Sequence, residues 1–362
     1  MKQQHINNQK GEIEFRKKLY LQQVERKMIF NDEFDAIGIE NILNERMKKT
    51  LKQMTLLREK GIALSSYIEI GAERCQRSLV MENDLGANGA AVDISYDMLK
   101  SCNYYKDVFN KSKFPIRICC DANILPFMTN SVPFIFCYET LHHFPEPAPI
   151  TKEIYRVLSP GGYFFFDEEP YKRVLHINLY KGKKIYSKDS LMRSKIRKVF
   201  DYFFCARSCN EVEHGIIENE DISIRLWKQA FIYFDEKDIK LRSVKFIQSK
   251  LFNTSSYIKY FAACLLGGGI SGICRKFGNN VNKNSSIYNV LICPSCEEMG
   301  SEVLLNRNNS SFFCPKCFKT YPVIDGVLFL FTYDKFEELY PEIFNGYVTN
   351  KTLPFIYRIG ER

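Results

Sequence analysis

Through the first sixty positions apolar residues recur at steps of three and four, as in Met47, Leu51, Met54 and Leu57, and residues 11–60 contain no proline. That period aligns side chains on one face of a helix. A helical segment is therefore expected over residues 1–60, with Gly61 as its stop. From Ser66 the pattern changes to short apolar runs. SYIEIG (66–71), GAAVDI (89–94), residues 116–120, FIFCY (134–138) and GYFFF (162–166) each read as a buried strand, the last after the turn Ser159-Pro-Gly-Gly162. Helix-compatible stretches lie between them, notably 95–105 and 150–158. Strands alternating with helices predict an α/β fold with a parallel sheet and right-handed crossovers. Residues 239–249 and 286–292 offer two further strands.

Two stretches break this rhythm. Residues 171–235 read as a cap or insertion. Residues 260–274 (YFAACLLGGGISGIC) read as a buried helix broken at the three glycines 267–269, with an interfacial membrane contact as the other reading. The run is shorter than the roughly 20 apolar residues that cross a bilayer, so no transmembrane segment is expected. The expected organisation is a helical segment over 1–60, a main domain over 61–288 with its cap at about 171–235, a small module over 289–332 and a tail over 333–362.

A length of 362 residues suits two or three units, and 45% hydrophobic residues exclude disorder across the whole chain. The start, MKQQH, is polar and leads into no apolar signal-peptide core, so a cytoplasmic protein is expected. Of the 13 cysteines nine are single or adjacent and four form two C-x-x-C pairs, a pattern of a reducing compartment and a metal site. The net charge of +9 is local. Residues 171–200 hold ten Lys or Arg against Asp189 alone, which equals the whole excess. Such a segment either meets phosphates, on RNA, nucleotide or anionic lipid, or forms a solvated face of the cap.

In an open parallel sheet ligands sit at the carboxyl ends of the strands, where the strand order reverses. A glycine after the first strand lets backbone approach the ligand, and an acid about 20 residues on grips a ribose diol. Gly71 and Asp93 stand in that relation. The stretches IEIGAERC (68–75), AAVDISYDML (90–99), CDANILPF (120–127), YETLHHF (138–144) and EIYRVLSPGGYFFFDEEP (153–170) together resemble a class I S-adenosylmethionine-dependent methyltransferase. The resemblance implies a Rossmann-like methyltransferase sheet with S-adenosylmethionine as cofactor. It implies that Glu69 and Gly71 face the methionine part of the donor and that Asp93 takes both ribose hydroxyls. Ile94 and Met98 would enclose the adenine, Asp121 would accept from its amino group beside Ala122, and Tyr138 and Glu139 would face the reacting centre. Two departures stand out: Glu73 and Cys75 occupy places where the family usually has glycine, and Pro133 replaces an acid before the fourth strand. A side chain at 73 or 75 threatens to crowd or repel the donor carboxylate.

Methyl transfer from a sulfonium depends chiefly on placing the acceptor in line, with a base for an acceptor that must lose a proton. His142, His143 and Glu139 are the candidate catalytic groups, and either histidine has a structural role as its alternative. Glu168 and Glu169 are further candidates at the pocket mouth. The acidic run 211–221, with His214 and Glu218 four apart, offers weaker metal chemistry because Gly215 disfavours a helix there.

Cys293-Pro-Ser-Cys296 and Cys314-Pro-Lys-Cys317 flank 17 residues, the spacing of two knuckles that share one structural zinc ion. With the following YPVIDGV (321–327) they are similar to the small zinc-ribbon protein that activates tRNA and translation-factor methyltransferases. The expected function is S-adenosylmethionine-dependent methyl transfer to a small-molecule, saccharide or lipid-linked acceptor. An RNA methyltransferase using segment 171–200 and a non-catalytic Rossmann-like binding protein are the alternatives. Against RNA, the fourth strand leads into Tyr138-Glu139-Thr140-Leu141 and not into an Asn-Pro-Pro-Tyr element.

Overall fold

A computed structural model of the chain describes residues 2–25, 36–175, 177, 179–182, 200, 203–207, 219, 221–243, 247–279, 286–308 and 311–348. Most of the basic segment and nearly all of the acidic run 211–221 lie outside the described residues.

Two helices open the chain, α1 (Lys2–Gln23) and α2 (Ala36–Glu59). The alternation then follows as β1 (Ser66–Ile70), α3 (Gln76–Asn83), β2 (Asn88–Asp93), α4 (Tyr96–Val108), β3 (Ile116–Cys119), β4 (Val132–Tyr138), α5 (Pro147–Val157) and β5 (Leu158–Tyr171). These five strands are mutually parallel in the order β3-β2-β1-β4-β5. All of β1 and β4 is buried, which is why each reads as a continuous apolar run and not as an alternation. Ile68 and Ile70 enter the core on one face, and Tyr67 packs with Phe134 and Phe136 on the other. The expected turn at 159–162 is absorbed into β5 at an irregular register against β4.

After β5 come β6 (Tyr180–Gly182), β7 (Cys205–Arg207), α6 (Ile224–Ala230), β8 (Glu236–Arg242), β9 (Gln248–Lys250), α7 (Tyr257–Leu266) and β10 (Gly268–Arg275). The broken helix expected over 260–274 is instead a helix followed by a strand. Gly267 ends α7 with φ +67° against Arg173, where a Cβ would come within 2.7 Å of that residue's Cβ. β10 then runs antiparallel to both β5 and β8. Nor is α7 buried, since Ala263 is its one buried residue. The strand expected over 239–249 is divided into β8 and β9.

The second expected extra strand does not form. Residues 287–290 make a single 3-10 turn. The place beside β3 goes to the cysteine module, built from α8 (Pro294–Glu297), β11 (Asn306–Arg307), β12 (Ser311–Phe313), β13 (Thr320–Ile324) and β14 (Val327–Phe329). β14 pairs parallel with β3, so one sheet runs from the module to the far edge at β9. The chain then turns into α9 (Tyr333–Leu339) and continues to Val348 along the same side. Phe336 stacks on Phe329 at 5.3 Å, and Phe336, Ile343 and Phe344 are buried with residues of α4. The described part of the tail therefore packs on the core. Among the described residues no helix is long and apolar enough to cross a membrane.

Candidate functional site

The strand order reverses between β1 and β4, and the crevice there lies at the carboxyl ends of both strands. Gly71 leaves β1 with φ +68°, and a Cβ on it would come within 2.3 Å of Thr140 Oγ1. Thr140 is held in turn at the end of β4, its hydroxyl donating to Tyr138 O at 2.8 Å. The backbone thus passes where no side chain fits.

Glu73 and Cys75 keep the left-handed backbone that glycine would have supplied, with φ 50° and 59°. For side-chain-bearing residues this costs on the order of 1–2 kcal/mol each. Neither crowds the crevice as the sequence suggested. The Cys75 side chain is buried with Ala72, Leu79 and Tyr96. The Glu73 carboxylate faces the cavity but is met by Arg16 at 3.4 Å, Arg46 at 3.3 Å and Arg74. Burial alone would raise its pKa, and the guanidinium groups of Arg74, Arg16 and Arg46 outweigh that and hold it well below the usual carboxylate range.

Asp93 ends β2 and ties the loops together. Its Oδ2 accepts from Glu73 N at 2.8 Å and its Oδ1 from Ser95 N at 2.8 Å. Burial pushes this carboxyl up to about 6, against the pull of the two N–H groups, so it is still ionised at neutral pH. Each oxygen retains a lone pair for a further donor.

A cavity of about 490 Å³ opens here, within the size range of small-molecule sites. Gly71, Asp93, Ile94, Asp121, Ala122, Tyr138, Glu139, His142 and His143 all line it. Glu69 and Met98 do not. The Glu69 carboxylate turns behind the loop to accept from Ser78 Oγ at 2.5 Å, and burial raises its pKa to about 7 against the nearby Arg77. Met98 lies under α4 against Phe15, Leu19 and Tyr20 of α1. Both Asp121 oxygens are engaged, Oδ1 by Asn123 N at 3.0 Å and Nδ2 at 2.8 Å, and Oδ2 by Lys335 from α9. Burial would raise the Asp121 pKa, and Lys335 outweighs it and lowers it.

The two histidines form a short 3-10 turn after β4. Glu169, on β5 and fully buried, accepts from the backbone N–H groups of Thr140 at 2.7 Å, Leu141 at 2.9 Å and His142 at 3.1 Å. Its Oε2 also lies 2.9 Å from His142 Nδ1. A carboxylate accepts only, so this contact calls for a ring proton on Nδ1. His143 stacks on His142 with ring centroids 4.3 Å apart. Glu139 accepts from Arg46 Nη2 at 2.7 Å.

The N-terminal helices were not legible as part of this site. Asn8, Gln9, Glu12 and Arg16 of α1 and Arg46 of α2 line the cavity, and no motif in residues 1–60 marks them. Arg77, on α3, stands 4.1 Å over the Tyr138 ring and bonds Glu168 at 3.3 Å.

In the cysteine module Cys293, Cys296, Cys314 and Cys317 bring their sulfurs within 4.8 Å of one another. The pairs Cys293–Cys317 and Cys296–Cys314 are 3.6 and 3.7 Å apart. The Tyr321 hydroxyl sits 3.1 Å from Cys293 Sγ.

Residues 68–166 match a family model described as a methyltransferase domain. An uncharacterized chloroplastic methyltransferase of Arabidopsis thaliana is 36% identical over 90 residues, 24% of this chain. The chain spans about a quarter of that relative's length. Among solved structures, a chain in the complex between the Haloferax volcanii Trm112 methyltransferase activator and a putative methyltransferase is 18% identical. Its TM-score is 0.38, over 69% of this chain and 100% of that one. A putative methyltransferase from Bacillus halodurans is 13% identical, with TM-score 0.35 over 59% of this chain and 93% of that one. Residues 68–166 thus combine a match to a methyltransferase domain with the Rossmann-like strand order β3-β2-β1-β4-β5.

Proposed function

We propose that the chain transfers a methyl group from S-adenosylmethionine to a small-molecule, saccharide or lipid-linked acceptor in the cavity between β1 and β4. The observation that carries this reading is the conjunction of Gly71 and Asp93: a backbone cradle a Cβ would fill, tied to a carboxylate with a lone pair left on each oxygen. In this reading Asp93 holds the ribose hydroxyls, Ile94 and Ala122 flank the base, and Asp121 takes the adenine amino group while shared with Lys335. Glu69 and Met98 act from behind, shaping the loop and α4. Arg16 and Arg46, which also neutralise Glu73, meet the donor carboxylate. When bound, the donor supplies an electrophilic methyl group on a sulfonium. His142, held by Glu169, takes the acceptor proton at Nε2. Tyr138, Glu139 and His143 line the space left for the acceptor.

The cysteine module is read as a structural zinc ribbon. Four thiolates about 2.3 Å from a tetrahedral zinc ion stand roughly 3.8 Å apart, close to the 3.6 and 3.7 Å separations here. With all four positions filled by protein, the ion supports the fold and takes no part in methyl transfer.

Calorimetric titration with S-adenosylhomocysteine tests the donor site. The wild type is expected to bind in the low-micromolar range, and Asp93→Ala to bind at least about tenfold more weakly while staying folded, with a somewhat lower melting temperature because Glu73 N and Ser95 N lose their acceptor. Equal affinity in the variant would remove the site assignment.

A further inference from the structure

Three features outside the donor cavity meet on one side of the fold. The first is the outer face of α7, where Tyr257, Ile258 and Phe261 are 81%, 84% and 65% exposed. The second is the segment that leaves β5. Val174, Leu175 and Ile177 are exposed, and Leu175 N donates to Leu265 O at 2.9 Å, so this segment runs along the end of α7. The third is an open groove of about 520 Å³ beside α7. Its walls are Ile224, Ile232, Phe252 and Tyr260, and its charges are Arg225, Lys228 and Lys237. Lys228 stands 5.1 Å over the Tyr260 ring and Lys237 5.4 Å over that of Phe252. Among the described residues no carboxylate pairs with these three cations or with Lys259 on α7.

Each feature alone has several explanations, but the combination narrows them. Folded proteins seldom leave contiguous large apolar side chains in water unless something covers them. A second protein seated on Ile258 and Phe261 has no need of a cation-lined groove with no acid in it. Nucleic acid would use the cations and leave the aliphatic face wet. A bilayer interface uses both, since acyl chains take up the apolar face while lipid phosphates meet the cations. We infer that this side of the molecule docks on an anionic lipid bilayer, with α7 lying in the interface and the groove of Arg225, Lys228 and Lys237 receiving a lipid phosphate. The contact is interfacial, made by α7 and the segment that leaves β5. Pro170 lines the donor cavity and Val174 belongs to the apolar segment. Four residues span at most about 13 Å, so docking brings the cavity close to the membrane surface. The inference stands independently of the methyl-transfer reading.

Vesicle sedimentation of the full chain tests it, using phosphatidylcholine with phosphatidylglycerol in a two-to-one ratio against phosphatidylcholine alone. Binding to the anionic vesicles is expected to exceed binding to the neutral ones by at least about tenfold, each engaged cation being worth about fivefold. Ile258→Glu combined with Phe261→Glu should reduce sedimentation by more than about tenfold. Arg225→Glu with Lys228→Glu should reduce it on anionic vesicles only. S-Adenosylhomocysteine affinity, measured alongside, should stay at the wild-type level in every variant, which separates lost docking from lost folding and from failure of the donor site. The inference is overturned if the wild type does not sediment with anionic vesicles, or if both variants bind them as the wild type does. It is equally overturned if the variants instead lose RNA retention or self-association while vesicle binding is absent.

Discussion

His142 and Glu169 show how little a residue's type says about its role until its partners are known. As letters, the two histidines and the acids of 168–169 are equivalent candidates. In the fold Glu169 is completely buried and gathers three backbone N–H groups and His142 Nδ1, whereas Glu168 stays at the rim with Lys49 and Arg77. Nitrogen-detected NMR of labelled imidazoles is expected to find His142 with its proton on Nδ1. Glu169→Gln presents an amide N–H₂ to that nitrogen and should move the proton to Nε2. Methyl transfer to a proton-bearing acceptor should then fall by about a hundredfold, with S-adenosylhomocysteine affinity within about twofold of wild type. An unchanged tautomer would remove the positioning role of Glu169. The place of Gly71 and Asp93 at the cavity was legible because it depends on backbone geometry and chain spacing. The Glu169 contact was not, because it joins β5 to the turn after β4 across 27 residues.

Among the elements, α2 is the one whose part in the crevice its sequence pattern leaves unmarked. Met47, Met54 and Leu57 lie on its buried stripe with Ile39 and Leu43, as the three- and four-residue steps imply, while Leu51 is exposed. Its polar positions Arg46, Lys49 and Gln53 follow the same helical period, and nothing in their spacing marks them as part of a site. In the fold Arg46 lines the cavity, and Lys49 and Gln53 bond residues at the ends of β4 and β5. Arg46 meets Glu73 and Glu139, Lys49 meets Asp167 and Glu168, and Gln53 accepts from the Tyr138 hydroxyl at 2.8 Å. Arg46→Ala is expected to weaken S-adenosylhomocysteine binding about fivefold to tenfold, by leaving Glu73 less neutralised beside the donor carboxylate. Arg46→Lys should recover part of the loss, and thermal stability should change little because these pairs are partly exposed. If both variants bind as the wild type does, α2 is a wall of the cavity and not a binding element.

Across the whole molecule, the cysteine module is part of the sheet and not an appendage to it. β14 pairs with β3, and Arg156 of α5 bonds Glu302 at 2.9 Å on the module's side. The chain beyond β14 returns to the cavity between β1 and β4, where Lys335 meets Asp121 and the Tyr340 hydroxyl donates to Ile94 O at 2.6 Å. Metal affinity in a small module of this kind is folding energy. Stripping zinc with a chelator, or introducing Cys293→Ser, should therefore lower the melting temperature by several degrees. It should also weaken S-adenosylhomocysteine binding about tenfold, through the strands, α9 with Lys335, and Tyr340 just beyond that helix. Calorimetry with and without chelator measures both. A fall in melting temperature with unchanged affinity would show that the module and the donor site are energetically separate.

Local physics makes much of this protein readable along the chain. Short apolar runs bounded by turns specify the five parallel strands, a glycine and an acid at fixed spacing mark two residues that line the cavity between β1 and β4, and two C-x-x-C pairs bring four thiols together. Each of these depends on neighbours in sequence or on one supersecondary unit. Tertiary structure alone decided that Glu73 is neutralised by two helices from the N-terminus, and that residues 286–292 yield the edge beside β3 to β14. It also decided that α7 keeps its apolar face outward. These outcomes depend on which surfaces meet across tens to hundreds of residues, and no period or spacing in the chain encodes such a meeting.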